Sequence, residues 1–85
     1  MDFNGPYYYY CTINDDIVVT INEDLVVHIE KPDEKYIFKT TEIDAKTQEL
    51  KYNLGFNDVE IQYFSKFIKN NFPLLVETVN DRGIA

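Results

Sequence analysis

Few side chains of this sequence are suited to catalysis. Its 85 residues include one histidine, His28, and one cysteine, Cys11. A catalytic nucleophile needs a neighbouring base that a third group orients, and neither Cys11 nor Ser65 lies in a motif of that kind. Cys11 is therefore interpreted as a small apolar residue of the core. We expect no catalytic residue and no enzymatic activity.

Metal and cofactor sites are not indicated either. A structural zinc site needs about four converging Cys, His or carboxylate ligands, and one cysteine with one histidine does not supply them. The acidic pairs Asp15-Asp16 and Glu23-Asp24 lack the central glycine and terminal glutamate of a calcium loop. The three glycines lie far apart, unlike those of phosphate-binding loops. We therefore expect no metal and no cofactor.

Alternating apolar and polar residues in the first half of the chain predict β-strands. Short links rich in Asn and Asp separate the alternating segments, which is typical of consecutive antiparallel hairpins. The predicted strands are Tyr7–Thr12, Ile17–Ile21, Leu25–Glu30, Tyr36–Thr41 and a shorter one at Leu50–Asn53.

The periodicity becomes helical after residue 55. Asn57 and Glu60 have the spacing of a capping box, which predicts that a helix begins there. Asn70-Asn71 is expected to end it, and a second helix is predicted from Pro73 to near Gly83. The fold class is therefore α+β: an antiparallel β-meander of four to five strands with one or two C-terminal helices on one face. We expect residues 1–85 to form a single domain.

Four consecutive tyrosines cannot all face the core if they form a strand. The alternation assigns Tyr7 and Tyr9 to the core and Tyr8 and Tyr10 to the outer side of the sheet. His28 is assigned to that outer side as well, because its strand neighbours on either side are apolar. Tyrosine buries a large area at low entropy cost and keeps a polar tip, so this surface is predicted to bind a partner.

The charge distribution indicates the kind of partner. The net charge is −7, and eleven of the fifteen acidic residues but only four of the eight basic residues lie within the first 50 positions. This argues against direct nucleic-acid binding through phosphates there and favours a basic protein as the partner. The predicted partner-binding residues are Tyr8, Tyr10, Asp15, Asp16, Glu23, Asp24 and His28.

These residues support one leading hypothesis about function. Carboxylates can occupy the positions of phosphates, and tyrosine rings those of stacked bases, on the surface of a protein that normally holds nucleic acid. We therefore expect a small acidic binding protein of the inhibitor or nucleic-acid-mimic type, of the kind that phages and mobile elements make. Its partner would be a larger basic protein, for example a nucleic-acid enzyme.

The expected compartment is the cytoplasm, or the host cytoplasm for a phage protein. No apolar run approaches the ~18 residues that a membrane span needs, and the N-terminus lacks the pattern of a secretory signal. A single cysteine cannot form an internal disulfide, which suits a reducing compartment.

One further pattern spans residues 25 to 80: Val27–Glu30, then Phe38, then Gly55-Phe56 before a helix, and then Leu74-Leu75. In this order the chain resembles the small bacterial proteins of domain-of-unknown-function family 4160. The family often has a His-x-His pair on a strand, and Val26 stands here at the first position of that pair. The resemblance implies a component of a toxin–antitoxin-like gene pair. Two further hypotheses are a homodimer that covers the outer side of the sheet and a small enzyme.

Overall fold

The computed structural model describes residues 6–32 and 38–83, and it confirms the α+β class. A five-stranded antiparallel sheet precedes two C-terminal helices. Of the predicted fourth strand, Tyr36 and Ile37 lie outside the described residues. The elements are β1 (Tyr8–Ile13), β2 (Ile17–Ile21), β3 (Val26–Lys31), β4 (Lys39–Asp44), β5 (Leu50–Leu54), α1 (Asp58–Asn70) and α2 (Phe72–Gly83).

The sheet is the predicted meander, because its strands are ordered β1-β2-β3-β4-β5 and every neighbouring pair is antiparallel. Short turns make this order possible. Asn14 and Asp15 both have positive φ angles, of 54° and 68°, in the turn between β1 and β2. Such angles match the twist of a tight hairpin, and Asn and Asp adopt them more readily than most residues.

Four of the five strands differ from their predicted bounds, β1 and β5 by no more than one residue at either end. β3 begins at Val26, because Leu25 has a φ angle of 62° and belongs to the turn. β4 is described from Lys39 and continues past the predicted Thr41 to Asp44, since it pairs with the whole of β3 from Val26 opposite Asp44 to Lys31 opposite Lys39. Cross-strand pairing therefore set the limits of β4, which local alternation alone did not indicate.

The connection from β5 to α1 is held by side chains. Asn53 accepts a hydrogen bond from the Phe56 N–H (3.2 Å) and donates one to the Phe56 carbonyl (2.8 Å). Gly55 has a φ angle of 101° at this bend, and a Cβ atom there would lie 3.0 Å from Cγ of Lys39. Both the positive φ angle and the lack of space for a Cβ atom therefore require glycine at this bend.

Helix α1 begins with the predicted capping box. The Asn57 side chain accepts from the Glu60 N–H (2.8 Å), and the Glu60 carboxylate accepts from the Asn57 N–H (2.9 Å). α1 ends at Asn70, and α2 begins at Phe72, one residue before the predicted Pro73. With 13 and 12 residues, neither of these helices has the length and apolar character to cross a membrane.

Both helices pack on the same side of the sheet. The rings of Phe56 and Phe64 meet edge to face with centroids 4.9 Å apart. This arrangement buries one continuous apolar cluster, and neither α1 nor α2 covers the opposite side of the sheet. The cluster consists of Ile17, Val19, Ile21, Val27, Ile29, Ile43, Ala45, Phe56, Phe64, Ile68 and Leu75.

We predict that Phe64→Ala lowers the free energy of unfolding by about 3–5 kcal/mol, because the ring is 1% exposed and its removal leaves a cavity. Val59→Ala, on the same helix but 74% exposed, should change it by less than about 0.5 kcal/mol. Urea denaturation followed by circular dichroism measures both. Equal losses for the two variants would contradict the assigned orientation of α1.

Candidate functional site

A β-bulge in β1 determines which tyrosines face outward. Tyr9 pairs with Thr20 on β2, and the next pair along the ladder joins Cys11 with Val19. Tyr10 is therefore an extra residue without a partner, and the alternation of sides is broken there. Cys11 lies on the core side, as predicted, and it is half-buried against the apolar cluster, where burial raises the pKa of its thiol.

Tyr10 faces the helices, so its predicted outward position is wrong. Its ring packs edge-on against Phe67 with centroids 6.3 Å apart, and its hydroxyl donates to the Asn71 side chain (3.0 Å). Burial raises the pKa of the Tyr10 hydroxyl. Tyr10 thus ties the edge strand to the end of α1 and has a structural role.

Tyr8 also lies on the side opposite to the prediction, because it pairs with the buried Ile21. Its hydroxyl donates to the Glu23 carboxylate (3.0 Å), and this hydrogen bond raises the pKa of Tyr8. The tyrosines assigned to the core, Tyr7 and Tyr9, are instead exposed, so their predicted positions are wrong as well. All four tyrosines lie on the side opposite to the prediction because the bulge adds one residue to β1.

The two acidic pairs lie at opposite ends of the sheet. Asp15-Asp16 belongs to the turn before β2, and Glu23-Asp24 belongs to the turn after it. Five strand residues separate them, which corresponds to roughly 15 Å. One lysine approaches them among the described residues: Lys31 Nζ is 3.9 Å from the Asp16 carboxylate. The acidic pairs flank the sheet and do not converge on one point.

The side of the sheet away from the helices is called here the outer face. Its centre is a row that crosses all five strands with His28 in the middle, as the register requires. Polar residues occupy the middle of the face, and exposed aromatic and aliphatic residues occupy its two flanks. The residues of the outer face are Tyr7, Tyr9, Thr12, Val18, Thr20, Val26, His28, Glu30, Thr40, Glu42, Tyr52 and Leu54.

His28 is the centre of a hydrogen-bonded network on the outer face, and its predicted outward orientation is confirmed. Its Nδ1 atom is 3.0 Å from the Glu42 carboxylate, and its Nε2 atom is 3.3 Å from the Glu30 carboxylate. The same Glu42 oxygen accepts a hydrogen bond from the Tyr7 hydroxyl (2.9 Å). The Tyr52 hydroxyl lies 3.4 Å from Nδ1. Side chains of β3, β4 and β5 and of the residue before β1 thus form one network.

The network restrains the orientation of the imidazole ring. A carboxylate can only accept, so the imidazole donates from whichever ring nitrogen carries a proton: from Nδ1 to Glu42, or from Nε2 to Glu30. The nitrogen without a proton can accept from the hydroxyl beside it, which is Tyr52 at Nδ1 (3.4 Å) or Thr40 at Nε2 (3.5 Å). The contacts of His28 with Thr40, Glu30 and Glu42 lie on an open surface of the sheet. The backbone N–H groups of the central strands are paired in the ladder and cannot form an oxyanion hole.

Tyr7 covers the network at its β1 end. Its ring lies 5.6 Å from that of His28, centroid to centroid. Although Tyr7 is 39% exposed, the partial burial of its side chain, followed by the hydrogen bond to Glu42, raises the pKa of Tyr7 to about 12. The buried Asn22 makes no hydrogen bond through Nδ2 to another described residue, yet its amide is close enough to the Tyr7 hydroxyl to oppose part of this increase.

Of the seven predicted partner-binding residues, the outer face includes only His28. Glu30 lies two residues from His28 on the same strand and on the same side, so the alternation could have identified it from the sequence. Glu42 and Tyr52 join the site only through the register of β4 and β5.

Within residues 6–32 and 38–83, no group of three or more His, Cys, Asp or Glu side chains could hold a metal ion. Comparisons with protein-family models, with curated proteins and with solved structures found no match to this chain.

We predict that Tyr7 ionises later than an ordinary tyrosine, at about pH 12. Glu42→Gln should lower this pKa towards the usual value but not to it, because burial is the larger cause. Ultraviolet absorbance of tyrosinate, compared between the wild type and Tyr7→Phe, isolates the Tyr7 titration.

Stability provides a second check on Tyr7. The unfolded chain ionises this tyrosine near pH 10 and the folded chain near pH 12, so the folded state holds the proton longer. The contribution of Tyr7 is therefore complete below pH 10 and is lost as the pH rises to 12. The variant Tyr7→Phe should not show this loss of stability between pH 10 and pH 12 in alkaline denaturation. A profile equal to that of the wild type would contradict the prediction.

Proposed function

We propose that this chain is a small non-enzymatic binding protein whose outer face docks onto a basic site of a larger protein. The observation that carries the proposal is the make-up of that face. It combines a fixed polar centre with exposed tyrosine rings, and both helices lie on the other side of the sheet. Exposed aromatic residues beside polar groups are common in protein interaction sites.

Charge supports a basic partner. Glu30 and Glu42 are the acids at the centre of the face, with side chains 45% and 20% exposed, and none of the face residues defined above is a lysine or arginine. The acidic pairs Asp15-Asp16 and Glu23-Asp24 add negative charge at the two ends. A partner that presents lysine and arginine would be attracted from a distance and would meet these carboxylates on contact.

The tyrosines supply the apolar part of the contact. Tyr9 and Tyr52 stand at the two flanks of the central row, and Leu54 adds an exposed aliphatic group next to Tyr52. Tyrosine rings are common anchors in interfaces, and an arginine guanidinium can stack on them. The combination of rings and carboxylates is also what a mimic of nucleic acid would need on a partner that normally binds phosphates and bases.

The sheet edges are less suited to docking than the outer face. Both edge strands contain an irregularity, at Tyr10 in β1 and at Lys51 in β5. A bulge twists the strand and interrupts its regular row of N–H and C=O groups, and an exposed lysine on an edge has the same protective effect. A partner strand would find no regular edge there, which favours binding through side chains of the face.

A homodimer and a toxin–antitoxin-like module stay predictions. In a homodimer formed through the outer face, Glu30 and Glu42 of each copy would approach the same acids of the other copy, which is unfavourable. A toxin–antitoxin-like module would have a dedicated small protein as its partner, and expression of one member would be toxic. Light scattering of the purified chain and growth assays on expression distinguish these cases from the proposal.

Binding is predicted to depend on the outer face and on salt. We expect the immobilised chain to capture a basic protein, which is then purified and titrated against variants. The double variant Tyr9→Ser/Tyr52→Ser and the variant Glu30→Lys should each weaken binding about tenfold or more. Raising the salt concentration should weaken wild-type binding, because the attraction between exposed charges is screened.

The matched controls lie on α2. Leu74→Ser replaces an apolar residue that is 52% exposed, compared with 51% for Tyr9, and Glu77→Lys reverses a charge as Glu30→Lys does. Both controls should bind as the wild type does. If they weaken binding as much as the outer-face variants do, or if the loss of binding is confined to His28→Ala and spares the tyrosine and Glu30 variants, the proposal is wrong.

A further inference from the structure

A pocket on the other side of the molecule has no role in the proposed function. It opens between the β1–β2 turn and the first two turns of α1, with a volume of about 340 Å³. This is near the lower limit of small-molecule sites, which hold about 300–1,000 Å³, so the pocket fits one large side chain better than a cofactor. Its lining residues are Asn14, Ile17, Val59, Glu60, Tyr63 and Phe64.

The walls of the pocket are apolar and accessible. Ile17 and Phe64 are buried and belong to the core cluster. Val59 and Tyr63 are one helical turn apart on α1 and remain 74% and 53% exposed. The position of Val59 is not explained by the packing of α1, which is anchored through Phe64 and Ile68. Two exposed apolar side chains beside an apolar cavity form a surface that a partner side chain could cover.

The acidic residues nearest the pocket in the chain are called here its acidic rim. Glu60 lines the pocket, Asp58 lies two residues before it in the first turn of α1, and Asp15 and Asp16 follow the lining residue Asn14 in the β1–β2 turn. Lys31 is 3.9 Å from the Asp16 carboxylate and offsets part of this negative charge. The capping box already satisfies N–H groups at the start of this helix, so the site does not favour an anion. Its electrostatic complement is a positively charged segment.

We propose that this pocket receives one aromatic or large aliphatic side chain of a partner segment in which lysines or arginines flank that side chain. The anchor fills the cavity between Val59, Tyr63 and Phe64, and the flanking cations meet the acidic rim. A second copy of this chain is a poor occupant, because its own first turn of α1 bears the same acids. The pocket and the outer face are separate sites, and either can exist without the other.

A fluorescent peptide tests the proposal directly. The chain contains no tryptophan, so in a mixture with the blocked peptide Lys-Lys-Trp-Lys-Lys all tryptophan emission comes from the peptide. We expect saturable binding with a shift of the emission to shorter wavelength as the ring leaves water. Lys-Lys-Ser-Lys-Lys should not displace it, and Glu-Glu-Trp-Glu-Glu should not bind. Binding of the serine peptide with equal affinity would overturn the role of the anchor.

Variants identify the binding surface. Val59→Lys should weaken peptide binding about tenfold, because it narrows the pocket and adds a positive charge beside the acidic rim. Leu74→Lys on α2 and Glu30→Lys on the outer face make similar or larger charge changes elsewhere and should have less than a twofold effect. Circular dichroism confirms that each variant is folded. Equal weakening by all three variants, an unaffected Val59→Lys, or a wild-type dimer that Val59→Lys dissociates would each overturn the proposal.

Discussion

The structure depends on covering the apolar side chains of β2 and β3. Val19, Ile29 and their neighbours are fully buried on one side of a single sheet, and α1 and α2 cover them with Phe64 and Leu75. A chain of 85 residues has enough apolar area for one such layer. The two helices are used entirely on that side, so neither helix covers the outer face.

On the outer face, cross-strand hydrogen bonds between side chains take the place of a second apolar layer. His28 is held between Glu30 and Glu42, and hydroxyl groups from the flanking strands complete the network. Such contacts between partly exposed groups contribute little to stability individually. Their larger effect is to fix the positions of carboxylates and rings, which lowers the entropy cost of binding a partner to this face.

Local patterns predicted the elements, but they did not predict the side of the sheet on which each tyrosine lies. The capping box at Asn57 and the antiparallel meander followed from residues close together in the chain, and both are present. The bulge at Tyr10 depends on where β1 meets β2 and on the space that Phe67 offers to the ring. Strict alternation cannot include such an extra residue, and one extra residue reverses every side chain before it.

The sequence by itself determined the α+β class, the acidic character of the first half and the outward orientation of His28, because each depends on composition or on neighbours along one strand. Only the tertiary structure decided that Glu42 and Tyr52 stand beside His28, that Tyr10 belongs to the core, and that the acidic turns lie apart. These features depend on the register between strands that are distant in the chain. Register is set by the packing of the whole sheet against its helices, which no local pattern contains.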